Sequence, residues 1–191
     1  MKKIIPLLTI GLLFPGLAYA HGAGYGGGFM AGLSHPVLGL DHLLAMISVG
    51  ILSAQMGGRA IWSVPSAFVI VMLVGAILGM RGIQLVSVEH GIALSVLALG
   101  FALVAEKKLS PILAMAFVGF FAIFHGHAHG SEMPYLAKPV LYASGFVVGT
   151  AGIHIAGVLI AVLAKKFNDG AQFLRYVGAG IVGIGLHLII M

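Results

Sequence analysis

The chain has 191 residues, 60% of them hydrophobic and only 8% charged, with a formal net charge of +5 and a mean hydropathy of +1.13. Soluble domains run near a quarter charged, so this chain cannot present a wetted surface, and lipid is the solvent its composition calls for. Cysteine is absent, which excludes disulfides and thiolate metal sites; the excess positive charge sits in short loops between apolar runs and does not suggest nucleic acid.

In chain order, Lys2 and Lys3 precede an apolar stretch from Ile4 to Leu17, and Ala18-Tyr19-Ala20 fits a small-residue cleavage site. Residues 1–20 therefore read as a cleaved export signal, leaving His21 as a mobile mature N-terminus outside the cytoplasm. Residues 22–28, rich in glycine, read as a flexible arm. Six apolar runs follow, near 31–55, 61–80, 85–105, 109–129, 139–164 and 173–191. Each is long enough to cross about 30 Å of hydrocarbon as a helix, and lipid obliges the backbone to satisfy its own hydrogen bonds. The expected fold is all-α: one transmembrane domain over 21–191, a bundle of about six helices. The alternating pattern of a membrane β-barrel is absent.

With the mature N-terminus outside, Arg59, Lys107, Lys108, Lys165, Lys166 and Arg175 fall in inner loops, and only Arg81 and Lys138 in outer ones. That bias has the sense of the positive-inside rule. It predicts a multi-pass protein of a bacterial inner membrane, with both mature termini on the periplasmic side. Gly75/Gly79 and Gly145/Gly149 have the four-residue spacing of close helix contacts, and Gly178, Gly180, Gly183 and Gly185 would smooth the last helix on several sides. A weak internal echo links Asp41-His42, Glu89-His90 and Ile153-His154 as three helix-pair units.

Ionisable groups inside a membrane are costly and mark function by default. On this topology His35, Asp41 and His42 lie in the outer half of the first span, and Glu89 and His90 near the outer end of the third. His125, His127, His129 and Glu132 lie at the outer end of the fourth, His154 near the middle of the fifth, and His187 near the outer end of the sixth. Glu106 and Asp169 stand beside lysines on the inner side, as ordinary loop charges. A helix turns about 100° per residue, so His35 and His42 share a face, and Asp41, Ser48 and Gln55 form a polar stripe toward the cytoplasm. His125/His129 and Thr150/His154 are each one turn apart. Gly126, Gly130 and Pro134 predict that the segment of His125–His129 leaves the helix, and Pro36 and Gly39 predict a broken start to the first span. Phe117, Phe120, Phe121 and Phe124 read as packing, with a hydrophobic gate as the other reading, and Met46 as filler. Imidazole and carboxylate together suit Ni²⁺, Co²⁺ and Zn²⁺, with acids as ligands or as partners that orient the rings.

The segment from His35 to Met46, which contains His35-Pro36 and Asp41-His42, resembles the signature of the HupE/UreJ family of nickel permeases. So does Phe124-His125-Gly126-His127-Ala128-His129-Gly130-Ser131-Glu132 with Pro134. Glu89-His90-Gly91-Ile92-Ala93 and Gly145-Phe146 with Thr150 and His154 are similar to further family segments. The resemblance covers essentially the whole mature chain. It implies a small secondary transporter of Ni²⁺, or Co²⁺, linked to metal supply for hydrogenase or urease maturation proteins.

The expected mechanism is uptake from the periplasm. The ion meets a mouth of His125, His127, His129 and Glu132. It passes to a deeper site of His35, Asp41 and His42 with Glu89 and His90, and leaves by His154, Ser48 and Gln55, with Thr150 and His187 as further pathway candidates. The metal is cargo; no prosthetic group and no enzymatic activity are expected. No G-x-x-x-x-G-K-[ST] loop is present, which argues against ATP hydrolysis. Two other classes stay open on the residues alone. One is an intramembrane metal-dependent hydrolase with Asp41 or Glu89 as base. The other is a metal sensor or a haem-binding carrier with facing histidines.

Overall fold

The computed structural model describes residues 28–106 and 109–191. The expected export signal, His21, the glycine arm before Gly28, and Lys107 and Lys108 lie outside the described residues. Seven helices follow in order: α1 Phe29–Leu38, α2 Leu40–Met56, α3 Ala60–Met80, α4 Val88–Ala105, α5 Pro111–Ser131, α6 Pro139–Ala164 and α7 Gly170–Ile190. No strand occurs among the described residues. The fold is all-helical, as the composition required.

α3 to α7 are each long and apolar enough to cross a membrane, and α1 with α2 is apolar enough as a pair bent by 85°, the form of a broken span or a re-entrant loop. The run near 31–55 is therefore two helices, with the broken start that Pro36 and Gly39 predict. Pro36 lies inside α1 and cannot donate a backbone hydrogen bond; three residues later Gly39 turns extended, at φ −90° and ψ 117°, and α2 starts afresh. Pro111 and Pro139 start α5 and α6, where a missing N–H costs nothing, and the Ser110 side chain caps α5 by accepting from the Leu113 N–H at 3.3 Å. Gly57 and Gly58, at φ 73° and 55°, make the left-handed turn between α2 and α3 that a side chain would strain.

Helix packing follows the glycines. α3 and α5 run side by side, and a methyl group added at Gly75 or Gly79 would overlap the Ile123 or His127 carbonyl of α5. Their counterparts Gly126 and Gly130 press equally close to the Met72 and Ala76 carbonyls of α3. Such small-residue seams let backbones meet where lipid offers no hydrophobic drive. They also correct one expectation. The segment carrying His125, His127 and His129 does not leave the helix at Gly126 and Gly130, because these glycines serve contact rather than a break; α5 continues to Ser131. Gly145 and Gly149 seat α6 against α1, while Gly50 and Gly157 close α2 on α6. On α7, Gly178 and Gly185 pack on α4, whereas Gly180 and Gly183 meet nothing within 4 Å, contrary to a helix smooth for packing on several sides.

The interior is filled by Met46, Val49, Phe68, Met72, Ile92, Leu99, Tyr142, Phe146 and Leu174. The outside is apolar too, with Trp62, Ile70, Val74, Ile112, Phe120 and Leu159 exposed, as a lipid-facing bundle demands. At the end of α2, Lys165, just past α6, donates to the Ala54 carbonyl and Gln55 donates to the Leu103 carbonyl of α4 at 3.4 Å. The opposite end of the bundle holds the histidines.

Candidate metal centre

Four imidazoles gather where the α1–α2 break meets the C-terminal turns of α5. The ring centres of His42 lie 4.7 Å from His125 and 4.9 Å from His129, and His35 lies 4.7 Å from His129 and 6.2 Å from His42. Two imidazoles sharing one ion at about 2.1 Å per nitrogen have ring centres roughly 5 Å apart. The rings now pack edge to face, and among the described residues no three His, Asp or Glu groups surround a common point at coordination distance. Small rotations of the rings would be needed to enclose an ion.

Hydrogen bonds decide which nitrogens are open. Asp41 Oδ1 lies 2.9 Å from His42 Nδ1 and also accepts from the His42 backbone N–H at 2.7 Å. A carboxylate only accepts, so Nδ1 carries the proton of the neutral ring and Nε2 presents its lone pair. His42 Nε2 is buried and unpartnered. At His125, Nε2 lies 2.8 Å from Ser95 Oγ, whose own hydroxyl donates to the Ile92 carbonyl at 2.6 Å. Ser95 therefore accepts from His125, and its Nδ1, also buried and unpartnered, bears the free lone pair. Neither ring nitrogen of His129 has a partner, and its ring stacks on Phe146 at 5.0 Å. His35 Nε2 lies 3.3 Å from Glu132 Oε2. Glu132 stands just past α5; burial is the main influence that pushes its carboxyl above the ordinary value, and the charges of Glu89 and Asp41 add to this against an opposing pull from His42.

The other candidates are placed differently. His127 turns away and donates from Nε2 to the Ile83 carbonyl at 2.7 Å, tying α5 to the loop before α4. Glu89 and His90 open α4 on the exposed surface, and His187 is exposed on α7. His154 is buried in α6, and the ring of Phe68 touches both it and His125, with centres 5.2 and 5.7 Å away. The expected stripe is polar but spent on backbone. Ser48 donates to the Leu44 carbonyl at 2.7 Å and Gln55 reaches α4, while Thr150 offers its hydroxyl to Met72 Sδ at 3.7 Å. The three-unit echo has no counterpart in placement: Asp41-His42 is inside, Glu89-His90 outside, and His154 deep within its helix.

Residues that spacing did not single out complete the site. Ser95 sets His125, and Phe146 backs His129. Tyr142 lies 6.2 Å from His35 with its hydroxyl buried and unpartnered. Phe146 stands in a segment that carries the family resemblance, and the Tyr142 hydroxyl, which needs a partner in an apolar helix, is a signal that could have found it; Ser95 reads as an ordinary helix residue.

A family model described as HupE / UreJ protein matches residues 8–188. The chain is also 43% identical over 173 residues to Protein HupE of Rhizobium leguminosarum bv. viciae, covering 91% of this chain and 90% of that protein. No solved structure matches it. The family match runs through every helix that carries a histidine of the cluster, and the chain belongs to the HupE / UreJ protein family.

Proposed function

We propose that this protein is a secondary permease that carries Ni²⁺, or Co²⁺, from the periplasmic face of a bacterial inner membrane toward the cytoplasm, for hydrogenase or urease maturation. One observation carries the reading. The rings of His35, His42, His125 and His129 converge, and His42, His125 and His129 each keep a buried ring nitrogen with no protein partner. Imidazole is a ligand suited to these ions, and a buried acceptor without a partner costs free energy unless something else uses it. Glu132 with His35 forms the outer edge, where a carboxylate attracts a hydrated cation. Asp41 then holds the His42 ring in the tautomer that presents Nε2. The rings exchange for water in the ion's shell. An inside-negative potential drives a dication inward by roughly 4.6 kcal/mol per 100 mV, twice the value for one charge.

Uptake of radioactive nickel into proteoliposomes tests this, with cobalt and zinc in excess as competitors. Saturable uptake that His42→Ala reduces at least tenfold is the expected result. Folded, correctly oriented protein that gives no uptake above empty vesicles would sink the transport reading.

A further inference from the structure

His154 has no use in the outer cluster, yet its surroundings are unlike those of a packing histidine. The residue is 2% exposed and neither ring nitrogen has a partner. A histidine kept for helix packing spends its N–H on a neighbour; an orphan in the interior requires another explanation, of which an ion is one. The buried ring of Phe68 is in edge or tilted contact with both His154 and His125 of the cluster. One turn away on α6, the Thr150 hydroxyl donates only to the weak acceptor Met72 Sδ, so its oxygen lone pairs are open.

We propose that His154 is a second cation station, for a divalent ion of the nickel–cobalt–zinc class, that receives the ion after the four-imidazole cluster. This rests on the uptake reading above and adds a step to it. The donors within reach are one imidazole, one hydroxyl and one thioether, fewer and weaker than the set above. A station that must also release its ion is better served by such a set, since conduction needs binding strong enough to enter and weak enough to leave. The ion leaves His125, passes the edge of Phe68 and takes a nitrogen of His154, with Thr150 or Met72 as a second contact.

The absence of cysteine makes the test clean. His154→Cys introduces the only thiol, and a thiol that coordinates a metal loses its proton. Titrating purified His154→Cys with Co²⁺ is expected to produce a near-ultraviolet thiolate-to-cobalt charge-transfer band that the native protein lacks. The band should saturate at a higher Co²⁺ concentration than the outer cluster needs. His154→Phe is expected to lose uptake at least tenfold while its Co²⁺ dissociation constant at the outer cluster stays within about twofold of the native value. No band in folded His154→Cys, or native uptake by His154→Phe, would overturn the station. If His154→Phe does not fold, the band alone decides. If the native protein takes up neither nickel nor cobalt, the uptake reading fails first; native uptake with no band and an unimpaired Phe variant removes only the station.

Discussion

Ser95 determines which nitrogen of His125 faces the cluster, although it touches no other histidine. Its hydroxyl is committed to the Ile92 carbonyl, so the oxygen can only accept from His125. Removing a group that orients a metal-binding histidine typically costs ten- to a hundredfold in affinity. Ser95→Ala is therefore expected to raise the Co²⁺ dissociation constant about tenfold while far-ultraviolet circular dichroism stays unchanged, and unchanged affinity would show that His125 is not a ligand. Protons compete for the same nitrogens, with an unperturbed imidazole pKa of about 6.5. The raised pKa of Glu132 adds to this in one direction, because a carboxyl with a raised pKa becomes neutral earlier on acidification. Uptake should fall as external pH drops, starting above the ordinary carboxylate range, and Glu132→Gln should flatten the acid side of that profile. A pH-independent uptake rate would count against histidine ligation.

At the scale of elements, the break between α1 and α2 builds the site. The seven-residue spacing of His35 and His42 would place both on one face of a continuous helix. The chain instead turns through 85°, and the two rings meet across the bend, on separate helices. Gly39 stands at φ −90°, open to any residue, so its backbone does not call for glycine. Its surroundings do: an added methyl would lie 2.8 Å from Asp41 Oδ1 and 3.3 Å from His42 Nδ1. Gly39→Ala is expected to displace the Asp41–His42 pair and weaken Co²⁺ binding severalfold with little loss of thermal stability. The α3–α5 seam carries the opposite expectation. Gly126→Ala drives a methyl into the Met72 carbonyl and should destabilise by about 1–3 kcal/mol, as overpacking does. Gly180→Ala, facing open space, should be neutral or slightly stabilising through helix propensity. Melting temperatures in detergent check both, and equal melting of the two variants would refute the close-packed seam.

The whole molecule places the histidine cluster at one end of the bundle and Glu106, Asp169 and the α6–α7 loop at the other. Loop charges predict that the histidine end faces the periplasm. Because the chain has no cysteine, single thiols report on this directly. Tyr135, exposed between α5 and α6, is at the histidine end, and Asn168, exposed between α6 and α7, is at the opposite end. A membrane-impermeant maleimide should label Tyr135→Cys in intact spheroplasts and Asn168→Cys only after permeabilisation. The reverse pattern would invert the direction of transport.

Much of this was legible in the chain, because lipid imposes simple rules. Apolar runs longer than the hydrocarbon core must be helices, and charged or imidazole side chains inside them stand out without any knowledge of packing. Composition alone therefore determined the all-helical class, and the runs around Asp41-His42 and His125–His129 pointed to the histidines that the fold brings together. Side-chain direction was a tertiary matter. His125, His127 and His129 are two residues apart, yet their surroundings differ entirely: two rings enter the cluster while His127 is drawn to the Ile83 carbonyl of a neighbouring loop. Glu89-His90 carries the same acid–histidine pair as Asp41-His42, but α4 presents it outward. Gly126 and Gly130 looked like helix breakers until α3 was seen pressed against them. Local pattern specifies which groups a helix carries and at what spacing. Which of those groups converge depends on how the helices cross, and that was decided by the 85° bend at Gly39 and by the glycine seams that bring one backbone against the next.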